Sequence, residues 1–334
     1  GIELTCATTR YQPERHDYYG TTSDTLLRPP ESGHSAKIRL DFCTPEIIRV
    51  RYSGDQSVPE NDTLMVVGKF ETPVALDVTE STQNITVKTS ALRVEIVREP
   101  WQLNIFDLDG GLIFSTKPVD IAPLRRPTEQ WNPGEQRWIF LHRYAYPLGA
   151  AHFGERQHVF ASFDLRYDEH IYGFGENYGP LDKRGTHQAL WLQEAFSNAS
   201  PAAYKQVPFY LSTRGYGLFV NTSNALRFNV GSLEHTALSV TVDDTGLLDF
   251  YFIYGPSIKE ILPRYTAITG QPRVPPKWSF GLWMARISYN QQQQVEAVAQ
   301  QLRDHHIPCD VIHIDTDWFE YDWACDLQFG PQKF

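Results

Sequence analysis

The chain has 334 residues, a length that as a prior corresponds to two or three domains. Hydrophobic residues make up 41% and charged residues 21%, enough apolar side chains for a sizeable core, which excludes an intrinsically disordered chain. A net charge of −10 without a basic cluster speaks against a nucleic-acid partner. No run of about 18 or more apolar residues marks a transmembrane helix, so no membrane partner is expected.

The first two-thirds of the chain reads as β structure. Residues 37–42 and 48–52 alternate apolar and polar side chains with period two, separated by a Thr44-Pro45-Glu46 turn. Residues 84–97 and 103–114 continue in this style, the latter turning at Asp109-Gly110-Gly111. Residues 209–220 and 238–253 are expected to form two more hairpins, turning at Arg214-Gly215 and within residues 243–246. Residues 18–33 and 124–134 contain Pro and Gly and are expected to be loops. Many short strands with regular turn signals predict an antiparallel β-sandwich. Aromatics, at 13%, are expected chiefly to fill its core.

Ile258, Ile261, Leu262 and Tyr265 recur at helical spacing, and residues 270–276, with three prolines, read as a stiff linker. The expected organisation is therefore a sandwich over residues 1–269, a linker over 270–276 and a second domain over 277–334. In that last part, residues 279–283 predict a short strand. A helix capped by Asn290 follows, with Val295, Val298 and Leu302 as its apolar stripe and Ile307-Pro308 as its stop. Residues 309–314 predict a second strand. This βαβ unit would pair its strands in parallel and begin a (β/α)8 TIM barrel, which needs about 250 residues to close. The predicted fold class is a β-sandwich followed by an incomplete TIM barrel.

Asp315 and Asp317 stand at the carboxyl end of that second strand, where α/β folds gather their ligands. Such a pair could accept hydrogen bonds from sugar hydroxyls, hold a metal or act as acid and base. The alternative is that one acid caps the next helix and the other is solvated. Cys6, Cys43, Cys309 and Cys325 lack CxxC spacing, so no zinc or redox motif is expected. Buried free thiols are the default expectation, with a Cys6–Cys43 bridge as the alternative. His305 and His306 end the helix and His313 lies within the strand, so they do not form a metal set. Acceptor sequons at Asn61, Asn84, Asn198 and Asn221 lean towards an extracellular origin, with a cytoplasmic one still open. Gly1, with no signal-like stretch after it, is read as a trimmed start.

A set of longer motifs is more specific. Tyr172-Gly173-Phe174-Gly175-Glu176, Pro180-Leu181, and Ala203-Tyr204-Lys205-Gln206-Val207-Pro208-Phe209-Tyr210-Leu211-Ser212 come first. Gly215-Tyr216-Gly217-Leu218-Phe219-Val220-Asn221, Tyr254-Gly255-Pro256 and Tyr265-Thr266-Ala267-Ile268-Thr269-Gly270 follow. Pro275-Pro276-Lys277-Trp278-Ser279-Phe280-Gly281-Leu282-Trp283 and His313-Ile314-Asp315 complete the series. In this order they resemble glycoside hydrolase family 31, and most nearly its α-xylosidase-like branch.

The resemblance implies a sandwich followed by a TIM barrel with a sugar pocket at its strand ends. It also implies a retaining double displacement on two aspartates. Both would follow later barrel strands that have no counterpart here, so no catalytic residue is expected in this chain. By the same resemblance Asp315 binds a hydroxyl of the non-reducing terminal sugar, and Trp283 and Trp318 line the pocket. Glu194 belongs to a sandwich loop over the barrel mouth, where that branch often has Asp. Asp317 replaces the bulky apolar residue of the family's α-xylosidases, which favours an α-glucosidase, with α-xylosidase or α-galactosidase as alternatives. The expected partners are an α-linked oligosaccharide or glycoside and the remainder of the catalytic domain. No cofactor or metal is implied, and homo-oligomerisation stays open. A metal-dependent Asp-x-Asp glycosyltransferase would place a nucleotide-binding fold around the motif. A non-catalytic carbohydrate-binding sandwich would leave the βαβ unit without a purpose.

Overall fold

The computed structural model describes residues 1–8, 10–11, 34–54, 57–98, 100–117, 128–132, 137–141, 148–153, 156–194, 202–321 and 323–334. They form two compact units, Gly1–Gly270 and Gln271–Phe334.

The first unit is built on a seven-stranded antiparallel sheet. Its strands, in spatial order, are Ile2–Thr8, His34–Phe42, Ile47–Ser53, Leu247–Tyr254, Tyr216–Val220, Gln206–Ser212 and Ile171–Gly175. A six-stranded sheet contains Thr186–Leu190, Leu226–Val230, Ala237–Val242, Arg156–Asp164, Gly149–Phe153 and Arg10–Tyr11, the last pair running parallel. A five-stranded meander covers Asp77–Glu80, Asn84–Lys88, Arg93–Val97, Gln102–Phe106 and Leu112–Ser115. Alternation sets which face is buried: Ala36, Ile38 and Leu40 are wholly buried, while Lys37 and Arg39 between them are partly exposed. One apolar core joins all three sheets. The Phe114 ring of the meander lies 5.0 Å from Phe163 of the six-stranded sheet and 5.4 Å from Phe252 of the seven-stranded one.

Local turn chemistry follows the sequence at most corners. Thr44 Oγ1 accepts the N–H groups of Glu46 and Ile47 at 3.2 and 3.1 Å, closing the first turn. Gly110 and Gly215 take φ of +90° and +81°, which a side chain would strain. Residues 243–246 do not close a hairpin, however. Ala237–Val242 stays in the six-stranded sheet and Leu247–Tyr254 crosses to the seven-stranded one. The backbone bonds of this arch go to third parties: Asp243 N–H to Ala225 O at 2.9 Å and Thr245 N–H to Gln157 O at 2.7 Å. The expected loop over 124–134 also needs correction. Thr128–Asn132 is a strand paired with Arg137–Leu141, and the rest of 124–134 lies outside the described residues. Residues 18–33 lie outside the described residues.

Two buried polar clusters anchor the sandwich. Asp249, 2% exposed, accepts from Arg49 Nε at 3.0 Å and Nη2 at 2.8 Å. It also accepts from Asn61 Nδ2 at 3.0 Å and Asn221 Nδ2 at 2.8 Å. The sequon asparagines 61 and 221 are thus internal fasteners, which removes them from the argument for an extracellular origin. Asn84 Nδ2 donates to Glu95 at 2.7 Å, and Asn198 lies outside the described residues.

In the second cluster the buried Asp243 meets His158 Nδ1 at 2.9 Å and receives a hydrogen bond from Arg227. Burial alone would raise the Asp243 carboxyl, but the His158 hydrogen bond and the Arg227 charge outweigh it and hold it below its ordinary 3.8. A carboxyl depressed by folding stabilises the protein above its unfolded value. That contribution is lost as pH falls below 3.8 through the folded value. Asp243→Asn should therefore flatten the acid-side decline of the melting temperature below the ordinary carboxyl value of 3.8, read by calorimetry.

The helix Ile258–Thr269 closes the first unit, burying Ile261 and Ile268, with the Tyr265 ring stacked 3.9 Å from Phe209. Ile258 and Leu262, expected on the buried face, are 39% and 43% exposed, because the Ile261–Tyr265–Ile268 stripe takes the sheet. Cys43 and Cys325 are free and not fully buried, and Cys309 is free and buried, so among these three the expectation of buried thiols holds for Cys309. With Cys43 a free thiol, pushed up to about 12 chiefly by burial, a Cys6–Cys43 bridge is ruled out.

In the second unit Trp283–Ala285 pairs in parallel with Val311–His313, and the helix Gln292–Asp304 lies between them in sequence. Both strands are shorter than expected, and the first begins later. Pro276 starts a 3-10 turn, Lys277–Phe280, in which Ser279 Oγ donates to Pro276 O at 2.7 Å, so the apolar run becomes extended only at Trp283. The helix cap is Gln291, in extended conformation, rather than Asn290, whose N–H donates to Gln294 Oε1 at 3.3 Å. The helix ends in a Schellman turn. His306, at φ +56°, donates its N–H to Arg303 O at 3.0 Å, and the Ile307 N–H donates to Leu302 O at 2.8 Å.

Candidate substrate site

In the second unit the register places Ala285 beside His313 at the carboxyl ends of the two parallel strands. The chain leaving the first strand carries Arg286 and Ser288, and the chain leaving the second carries Asp315 and Asp317. This end of a parallel sheet is where α/β folds present polar side chains to ligands.

Asp315 is partly buried and has φ of +61°. That left-handed conformation is open to Asp and Asn and strained for most other residues. It turns the backbone immediately after the strand, and among the described residues the Asp315 carboxylate accepts no hydrogen bond. Asp317, also partly buried, accepts a hydrogen bond from Ser288 Oγ. Arg286, on the chain leaving the first strand, is engaged elsewhere. Its guanidinium lies 4.5 Å over the Tyr289 ring, and Nη2 donates to Gln294 Oε1 at 3.4 Å. Sequence reasoning missed Ser288, since a serine in a loop carries no local signal of a carboxylate partner far along the chain.

The two tryptophans differ. Trp283 is 50% exposed, and its Nε1 donates to Ser279 O at 3.0 Å, so one indole edge is fixed while much of the ring stays open. Trp318 is packed into an aromatic group, 4.0 Å from Phe319 and 4.9 Å from Phe329. The returning segment is held there by Gly330 N–H to Trp318 O at 2.8 Å and Lys333 Nζ to Phe319 O at 2.8 Å. Glu194 belongs to the first unit, where it is exposed and accepts a hydrogen bond from the Tyr204 hydroxyl. Among the described residues no group of three or more His, Cys, Asp or Glu side chains comes together as a metal site.

Chemically, two carboxylates with open acceptor positions at this end of the sheet suit the hydroxyls of a neutral polyol, such as a sugar ring. Over half of the chain, 171 residues are 39% identical to the α-xylosidase XylQ of Lactiplantibacillus pentosus, and the match covers 22% of that protein. A second stretch of 187 residues, 54% of the chain, is 36% identical to an α-xylosidase of Emericella nidulans and covers 24% of it. Among solved structures, the GH31 dextranase of Flavobacterium johnsoniae complexed with glucose superposes with a TM-score of 0.73 at 26% identity. That match covers 88% of this chain and 33% of the dextranase. The chain thus spans about a quarter to a third of the length of these relatives. Residues 37–229 match the glycosyl hydrolase 31 N-terminal galactose mutarotase-like domain, and residues 272–334 match the start of the family 31 TIM-barrel domain. With a β-sandwich, one βαβ unit and both family domains in order along it, this chain belongs to glycoside hydrolase family 31.

Proposed function

We propose that the protein to which this chain belongs is a retaining, exo-acting α-glycosidase that releases a non-reducing terminal sugar by double displacement, and that its sugar is a hexose, foremost glucose. In this reading residues 1–269 form the sandwich, 270–276 the linker and 277–334 the first part of the catalytic barrel, whose remainder supplies nucleophile and acid/base. Asp315 accepts a hydrogen bond from a hydroxyl of the terminal sugar. Trp283 offers its open indole to the sugar, Trp318 backs the site as packing, and Glu194 is a separate candidate contact to the substrate.

The observation that carries the choice of sugar is Asp317, a carboxylate held by Ser288 and unpaired with any arginine among the described residues. A xylose lacks the hydroxymethyl group that could donate to it. Leaving such an acceptor unmatched in a closed site costs about 1 to 3 kcal/mol. The second reading, an α-xylosidase, is favoured by the two relatives at 39% and 36% identity. The ratio of kcat/KM for nitrophenyl α-glucoside over α-xyloside on the full-length enzyme separates the two. The wild type is expected to prefer the glucoside, and Asp317→Phe to move the preference towards the xyloside. A wild type preferring the xyloside would establish the second reading instead.

A further inference from the structure

We propose that Ser288 is the positioning residue of Asp317 and thereby sets discrimination between sugars with and without a hydroxymethyl group. This inference rests on the reading of Asp317 given above. The two residues are 29 apart in sequence. They meet because the parallel pairing of Ala285 with His313 delivers both chains off the same sheet end. There the Ser288 hydroxyl donates to Asp317 Oδ2.

An ionised carboxylate is an acceptor through both oxygens, each with more than one lone-pair direction. With Oδ2 engaged, the plane of the carboxylate is fixed. Oδ1 takes no hydrogen bond among the described residues, so it is the acceptor left for a ligand. The identity of the partner matters as much as the contact. A guanidinium would clamp both oxygens at once and neutralise the charge, leaving little for a substrate hydroxyl. Arg286, two residues before Ser288, is drawn off by the Tyr289 ring and Gln294. A neutral hydroxyl instead orients the carboxylate while leaving its charge for the sugar. Ser288 touches no reacting atom in this scheme, so its removal should loosen recognition of one substituent and leave the reaction itself intact.

The test uses the full-length enzyme with nitrophenyl α-glucoside and α-xyloside, and the variants Ser288→Ala, Ser288→Thr, Ser288→Cys and Asp317→Ala. Ser288→Ala should lower the glucoside-to-xyloside ratio of kcat/KM by about 3- to 10-fold, the size of one lost hydrogen bond. The loss should fall on the glucoside's KM, with xyloside kcat/KM within about twofold of wild type. Ser288→Thr, which keeps the hydroxyl, should hold the wild-type ratio. Ser288→Cys, a similar shape with a weak donor, should lower it and decides the matter if the alanine variant does not fold. An unchanged ratio in the alanine or cysteine variant, or equal losses on both substrates, overturns the proposal. If Asp317→Ala shifts the ratio while Ser288→Ala does not, only the positioning role falls. If Asp317→Ala leaves the ratio unmoved, the reading of Asp317 falls and this proposal with it.

Discussion

Asp315→Ala in the complete enzyme is expected to lower kcat/KM by about 2 to 4 kcal/mol of transition-state stabilisation, roughly 30- to 1,000-fold. The reason is a charge-assisted hydrogen bond from a substrate hydroxyl to a carboxylate that no described protein group occupies. The backbone complicates the alanine result, since φ of +61° costs alanine about 1 kcal/mol more than it costs aspartate. Asp315→Asn separates the two contributions. Asparagine tolerates the left-handed conformation and keeps the side-chain shape, while removing the charge and turning one acceptor oxygen into a donor. It should remain strongly impaired, with a melting temperature near that of wild type. An asparagine variant with near-normal kcat/KM would reduce Asp315 to a turn residue.

The largest effect on stability should come from Asp249→Ala, at about 3 to 5 kcal/mol, because it removes the buried carboxylate on which an arginine and two asparagines converge. Arg49 loses two hydrogen bonds at 3.0 and 2.8 Å, and Asn61 and Asn221 each lose an acceptor. For a unit of this size the midpoint of thermal unfolding should drop by on the order of 10 °C, readable by calorimetry on the full-length protein. Glu60 provides the contrast. It pairs with Arg51 at 2.8 Å, but its side chain is 67% exposed, so Glu60→Ala should cost less than about 1 kcal/mol. Equal effects at the two positions would mean that burial does not govern these pairs.

What the sequence made legible was whatever is decided locally. Alternation over residues 37–42 specified a strand and its buried face, because period two and a one-sided core leave a single register. Thr44 and Gly215 announced their turns through side-chain capping and positive φ. Residues 243–246 misled because Asp-Asp-Thr-Gly suits a hairpin and an arch equally. The choice lay with distant partners at Ala225 and Gln157. The start at Trp283 was hidden for a similar reason: Ser279, Phe280 and Leu282 fit a strand, and only the turn set by Pro276 excludes the first two. At the site, Asp315 and Asp317 were visible by their place after an apolar strand. Ser288 was not, since the contact exists only once two parallel strands are aligned.

The Asn61–Asp249–Asn221 fastener also sets a hazard for producing the protein. The nitrogen that an oligosaccharyltransferase would modify on Asn61 or Asn221 is the same Nδ2 that each residue donates to Asp249. Asn221 is only 1% exposed, so the enzyme could reach it only on a chain not yet folded. A glycan attached at that stage would occupy the position of the buried carboxylate and bar the 57–63 segment from seating on the sheet. In a glycosylating host, then, modification and folding compete for one atom, and every chain modified there is lost to the native state. A host without that machinery removes the competition.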